Sequence, residues 1–310
     1  MSKKFVLIVL VTTLSMGGLV FYALYIDYFS NQDVRTDLVP EEWITTLNVA
    51  TTTTDIRDYT IEFISTFGEK GLSPMKSFSK VLILKNNRIV FEAQKEQDFG
   101  GFYDDGVGDW IKNADDLKRK AVKDVTGDGT PELILIGYSG GSHCCFHNYV
   151  IELSDPLSIL LDLDTGDYGI QFVDLNHDGI MEIETYDSVF SYWNTSFGAS
   201  PMPSVVLNLQ RGKYKADPAL MRKPPPTEAV VRKMANAVES WSGSQGPEVA
   251  WKYAIDLIYS GNITSARTYV NLSWRNNGSV FKSKDDFWDE LKGQIQKSPY
   301  YSDLSGHFGL

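Results

Sequence analysis

The sequence predicts a mainly β body followed by a small all-α domain, both carried behind an N-terminal transmembrane helix. Three observations predict it. An unbroken apolar run lies near the N-terminus, short apolar or alternating segments bounded by Gly, Asp and Asn follow, and the pattern turns helical after Pro224-Pro225-Pro226. A length of 310 residues allows two domains and a sizeable core, and 43% hydrophobic content is that of a folded chain.

Residues 5–26 hold no charged side chain, with Lys3 and Lys4 before them and Asp27 and Asp33 after. As a helix the run reaches about 33 Å, enough for a hydrocarbon core of about 30 Å. The positive-inside rule puts residues 1–4 in the cytoplasm and the body outside, periplasmic or at the cell surface, as a single-pass cell-membrane protein. A cleaved signal peptide competes, since Ser15 and Gly17 have cleavage-like spacing. Against it, the chain stays apolar well past Gly17. Both readings export the body. No cysteine follows the run, so a bacterial lipoprotein anchor is excluded.

Residues 27–54 read as a connector ending in the run Thr51, Thr52, Thr53, Thr54. Residues 55–222 read as β-rich, with strands at 59–64, 81–84, 88–91, 132–136, 149–153 and 205–209 and a turn at Asn86-Asn87. Past the prolines, residues 227–310 read as a helical domain. Thr227 can cap a helix whose stripe is Val230, Val231, Met234 and Val238. Pro247 stands at a helix start, followed by Trp251, Ile255 and Ile258, with Gly261 as the stop. Ser283 and Asp286 have capping-box spacing ahead of Phe287, Leu291 and Ile295. These stripes face a core.

The most informative feature is a repeat. Asp124-Val-Thr126-Gly-Asp128-Gly129-Thr130-Pro-Glu132 recurs as Asp174-Leu-Asn176-His-Asp178-Gly179-Ile180-Met-Glu182. Oxygen side chains fall at positions 1, 3 and 5, glycine at 6 and glutamate at 9. Calcium is a hard cation taking six to eight oxygens at about 2.3–2.6 Å, and alternate residues of a tight loop can converge on it. The backbone carbonyl at position 7, Thr130 or Ile180, commonly supplies one more ligand. The twelfth positions are Leu135 and Thr185, and Glu132 leads into Leu-Ile-Leu-Ile, a strand. An EF-hand is thereby excluded. Asx-rich hairpin turns that need no metal are the plain alternative; two copies in matching phase favour calcium, in a structural role.

The same pattern resembles the calcium loops of integrin-α-type propeller blades, the FG-GAP or VCBS repeats, in which such a loop joins two strands. The stretch Tyr138-Ser-Gly-Gly-Ser-His-Cys-Cys-Phe146 is similar to the G-G-x-H-C-C segment of bacterial exported FG-GAP-like proteins of uncharacterised function. Residues 251–262 and 298–300 are similar to the helical tail of that group. The resemblance implies two calcium sites, Asp124, Thr126, Asp128 and Glu132 in one, and Asp174, Asn176, Asp178 and Glu182 in the other. Position 3 is Thr or Asn rather than Asp, which implies weaker affinity. The β region holds about three units at the spacing of the two motifs. An incomplete propeller or an open β-sandwich is therefore expected rather than a closed ring.

The only two cysteines are adjacent, which excludes a disulfide-stapled scaffold and a zinc ribbon. Three readings of Cys144-Cys145 stand: a vicinal disulfide, two buried thiols, or a metal site with His143 and His147 flanking Cys145 at alternate strand positions. The absence of a C-x-x-C pair argues against thioredoxin-like exchange.

The chain carries 40 acidic against 29 basic side chains, a net charge of −11. That balance repels phosphate backbones, excludes nucleic acid as a partner class and suits a cation. No G-x-S-x-G elbow, phosphate-cradling loop, H-E-x-x-H or dinucleotide fingerprint occurs. Carboxylate pairs such as Asp104-Asp105, or Asp162 with Asp164, fit acidic turns. Phe190, Tyr192, Trp193 and Phe197 read as core packing or as the lining of a sugar or peptide cleft. The expectation is a membrane-anchored, extracytoplasmic calcium-binding module without catalysis, whose partner is an unidentified protein or glycan. The competing class is an exported hydrolase using carboxylates near the loops.

Overall fold

The computed structural model describes residues 5–12, 20–23, 44–68, 80–93, 98–100, 114–141, 144–242, 250–275 and 279–309. They fall into two units, one within 1–99 and 111–118, the other within 100–110 and 119–310.

The first unit is an antiparallel sheet of β1 (Phe5–Thr12), β2 (Val20–Ala23), β3 (Ile44–Ile56), β4 (Tyr59–Gly68), β5 (Lys80–Lys85) and β6 (Arg88–Ala93), in the order β2-β1-β3-β4-β5-β6. Alternation decides its buried face. Tyr59, Ile61 and Phe63 are buried on β4, with Ile61 paired to Ile83 and Phe63 to Val81, and Ile83 and Val81 in turn to Phe91 and Ala93. The β5–β6 turn is Asn86-Asn87, both left-handed at φ 50° and 59°, a conformation asparagine tolerates.

Two expectations are corrected here. Where a transmembrane helix over 5–26 was expected, β1 and β2 are paired strands, Val9 opposite Ala23, and β1 also pairs with β3. Residues 13–19 and 24–26 of that run lie outside the described residues. A continuous apolar run has no period that separates helix from strand, and Val6, Ile8, Val9, Val11 and Thr12 are β-branched. Among the described residues no helix is long and apolar enough to cross a membrane. The connector expected over 27–54 is strand β3 from Ile44 onward, as its threonine-rich composition permits; residues 27–43 lie outside the described residues, as does the tail 1–4.

β7 (Asp98–Gly100) and α1 (Ala114–Ala121) precede the strands of the second unit. There, β8 (Val122–Lys123), β9 (Glu132–Gly141), β10 (Cys144–Glu152) and β11 (Ser158–Gly166) form one sheet, with β10 between β9 and β11 and β8 paired to β9. β12 (Gln171–Val173), β13 (Glu182–Tyr186), β14 (Ser204–Gln210) and β15 (Lys213–Ala216) form another, in sequence order. Both sheets are open, with no propeller closure among the described residues. Helices follow: α2 (Pro218–Met221), α3 (Glu228–Asn236), α4 (Ala250–Tyr259), α5 (Ile263–Ser273), α6 (Lys284–Ile295) and α7 (Tyr301–Phe308).

The helices are not a domain of their own, contrary to the expected division between residues 222 and 227. One core joins Ile134, Val150, Ile183 and Val205 of the strands to Trp251, Ile255, Phe287, Leu291 and Phe308 of the helices. A periodic stripe shows that a helix face is buried but not against what, and here the proline run marks no domain boundary. Caps follow the expected chemistry. Thr227 Oγ1 accepts from Val230 N, and Ser283 Oγ from Asp286 N at 3.0 Å. Gly261, at φ 76°, ends α4: its N–H donates to Ile258 O and Asn262 N–H to Leu257 O. On α3 the buried residues are Val231 and Ala235, with Val238 buried just past its end, while Val230 is exposed.

Candidate metal centre

The two acidic segments close two hairpins in the same register. Lys123 pairs with Glu132 across the loop 124–131, and Val173 pairs with Glu182 across the loop 174–181. Positions 4 and 6 are left-handed in both, Gly127 and Gly129 at φ 73° and 86°, His177 and Gly179 at 61° and 88°. The repeat read in the sequence is thus a repeat of backbone path.

In the first loop, Asp124 reaches across the turn. Its Oδ1 accepts Gly127 N–H at 2.7 Å and its Oδ2 accepts Gly129 N–H at 2.9 Å. Asp128 Oδ1 accepts Thr130 N–H at 2.7 Å, an Asx turn. Glu132 opens β9 and is fully buried. Its Oε2 accepts Val125 N–H at 2.7 Å and its Oε1 accepts the Thr126 hydroxyl at 3.3 Å. Asp124, Asp128 and Glu132 each bring one oxygen within 4.8 Å of the others. Three carboxylate oxygens at that spacing could hold a metal ion. Burial, reinforced by the Asp124 charge, pushes the Glu132 carboxyl up to about 7. Such a group gains from a divalent neighbour.

The second loop repeats the anchor but not the triad. Glu182, also fully buried, accepts Leu175 N–H on Oε2 at 2.8 Å. Asp174 accepts Asp178 N–H and Gly179 N–H, each at 3.2 Å, and Asp178 accepts Ile180 N–H at 2.8 Å. Asn176 Oδ1 accepts Asp178 N–H, while its Nδ2 donates to Asp178 Oδ2 at 2.9 Å and Glu182 Oε1 at 3.1 Å. Its amide thus bridges two carboxylates. Among the described residues only the first triad meets the 4.8 Å spacing. Half a turn of the Asn176 amide exchanges its NH2 for Oδ1, a ligand atom.

The loops touch. Met181 N–H donates to Val125 O at 2.8 Å, and a Cβ on Gly127 would stand 2.8 Å from Gly179 O. Tyr214 lies buried beside both, its hydroxyl donating to Met181 O at 2.9 Å. Burial first, then the Glu132 and Glu182 carboxylates, push its phenol up.

No family model, no curated protein and no solved structure matches the chain.

The other expected sites resolve differently. Cys145 is disulfide-bonded, and the chain offers it one other cysteine. That removes the sulfur ligand from the zinc reading, and His143 lies outside the described residues. His147, nearly buried on β10, instead pairs its Nε2 with Asp162 Oδ1 at 2.7 Å. Asp164 Oδ1 accepts Gly166 N–H at 2.9 Å, as an acidic turn does; Asp104 and Asp105 lie outside the described residues. The aromatic cluster divides: Phe190 is buried and Trp193 packs on Trp251, Phe281 and Phe287, while Tyr192 is exposed against Phe197. A cleft of about 370 Å³ lies among β11, β15 and residues 299–303, and no loop carboxylate lines it.

Sequence reasoning missed Asp187. This fully buried carboxylate accepts from Tyr259 OH at 2.6 Å, Val189 N–H at 3.0 Å and the Ser298 hydroxyl, tying the end of β13 to α4 and the segment before α7. Burial pushes its carboxyl above the usual range. Its partners lie up to 111 residues away, so nothing local could have marked it.

Proposed function

We propose that this chain is an exported, calcium-stabilised, non-enzymatic binding or assembly module. The triad of Asp124, Asp128 and Glu132 carries this reading: three carboxylates converge within 4.8 Å at the closed end of a hairpin. No sulfur or imidazole joins them, an all-oxygen set suited to a hard cation. Asp124, Thr126, Asp128, Glu132 and the Thr130 carbonyl hold one ion. Asp174, Asn176, Asp178, Glu182 and the Ile180 carbonyl hold the second, once the Asn176 amide turns. The resemblance to FG-GAP repeats supports the same assignment. The ion neutralises clustered carboxylates and fixes the loops; the partner is an extracytoplasmic protein or glycan.

The test is a thermal melt of the full chain in detergent, with chelator and with millimolar calcium. Binding to the folded state alone raises the melting temperature. Identical melts would remove the reading.

A further inference from the structure

We infer that the outer edge of β6 is a self-association surface, to which a second copy of this chain adds its own β6, antiparallel about a two-fold axis. The inference stands apart from the calcium reading and names a partner that reading leaves open.

β6 ends its sheet. The order β2-β1-β3-β4-β5-β6 leaves it paired on one side only among the described residues. A free edge presents a row of backbone N–H and C=O groups that an added strand satisfies, and edges are commonly guarded by proline, lysine or a bulge. β6 reads Arg88-Ile-Val-Phe-Glu-Ala93, with neither proline nor lysine. It does carry a bulge: Ile83 pairs with Phe91 and Leu84 with Ile89, which leaves Val90 without a ladder partner on β5. There Ile89 and Val90 are both turned to solvent, 55% and 46% exposed. Adjacent exposed β-branched residues on a free edge are the surface an added strand covers.

The strand complements itself in one register. Antiparallel pairing centred on Val90 sets Arg88 opposite Glu92, Ile89 opposite Phe91 and Val90 opposite Val90, and the two-fold axis repeats each pair. Neighbouring registers mismatch. Centred between Ile89 and Val90, Arg88 faces Phe91; centred between Val90 and Phe91, Ile89 faces Glu92. Opposite charges and apolar pairs facing across strands stabilise the pairing, and a slip loses both. The charges are accessible. Arg88 is exposed, and Glu92 meets Lys80 Nζ at 2.5 Å through Oε1 while keeping 31% of its side chain in solvent. Oε2 is left to meet the guanidinium of the second copy.

Cysteine trapping and sedimentation of the full chain, with chelator present throughout, test this. Val90→Cys places a thiol opposite its own copy, where Cα atoms of neighbouring strands lie about 4.5–5.5 Å apart, within disulfide reach. Diamide should convert that variant to a covalent dimer on a non-reducing gel. Ile89→Cys, facing Phe91 of the second copy, should stay monomeric there. The unaltered chain should sediment at twice the mass of one chain. Arg88→Glu or Glu92→Arg alone should abolish that dimer by setting like charges face to face. Mixing the two variants should restore it, because opposite charges then meet at both ends; restoration also shows that both variants are folded. A monomeric unaltered chain, equal trapping at positions 89 and 90, or no restoration on mixing overturns the inference, whatever the chain does with calcium. Melts that ignore calcium leave it standing.

Discussion

The two acidic loops share a backbone path and a register, yet one gathers its carboxylates and the other holds them with an amide. At position 3 stand Thr126 and Asn176. The threonine hydroxyl serves Glu132 alone, so Asp128 remains free to approach. The asparagine NH2 serves Asp178 and Glu182 together and makes the cation-free loop self-sufficient. One donor atom more thus separates a loop whose carboxylates stay clustered from a loop that ties two of them to an amide. Surroundings add to the contrast: Val125, held by Glu132, is fully buried, whereas Leu175, held by Glu182, is 39% exposed.

The largest expected effect is loss of the glutamate anchors. Removing the partner of a buried N–H costs about 1–3 kcal/mol, so Glu132→Ala should destabilise the chelator form by about 3 kcal/mol. Glu182→Ala should cost less, about 1–2 kcal/mol, because its hydrogen bond to Leu175 N–H is only partly buried. Denaturant unfolding compares them; equal costs break the contrast drawn from burial.

Next comes the asparagine. Asn176→Asp adds a ligand charge to the second loop and removes its internal bridge. Calcium affinity there should rise roughly tenfold, about 1.4 kcal/mol, while the chelator form melts earlier. Affinity that stays put would mean position 3 does not reach the ion.

The smallest effect is a pH dependence owed to Glu132. Its carboxyl, raised to about 7 by burial, keeps a proton that the unfolded chain releases near 4.5. The stabilisation this gives the cation-free protein is complete below about 4.5 and lost as pH rises through about 7. Calcium requires the carboxylate, so the melting shift it produces should grow from pH 5 to pH 8. Asp187 contributes in the same direction without calcium, its carboxyl also being raised. The difference between the unaltered chain and Glu132→Gln isolates the Glu132 part; parallel pH profiles would contradict it.

What the sequence made legible was local chemistry. The loop spacing located both hairpin ends, Asn86-Asn87 its turn, Ser283 its cap and Gly261 its helix stop, because each depends on neighbours within a few residues. Long-range choices were hidden. The run at 5–12 is equally apolar as helix or strand, and only pairing with Ile44–Ile56 decides it. The helices after Pro226 carry stripes that do not reveal the sheet residues they cover. The Val125–Met181 contact joins segments 56 residues apart, and the hydroxyl donors of Asp187, Tyr259 and Ser298, lie farther away still. The carboxylate triad was readable from spacing, but the amide that replaces it in the second loop depends on a rotamer no spacing can show.

Calcium titration of the unaltered chain against Asp124→Asn with Asp128→Asn tests the central claim most directly. Saturable binding that loses its first-loop component in the variant is the predicted result. No binding to the unaltered chain, or the same isotherm from both proteins, would contradict it.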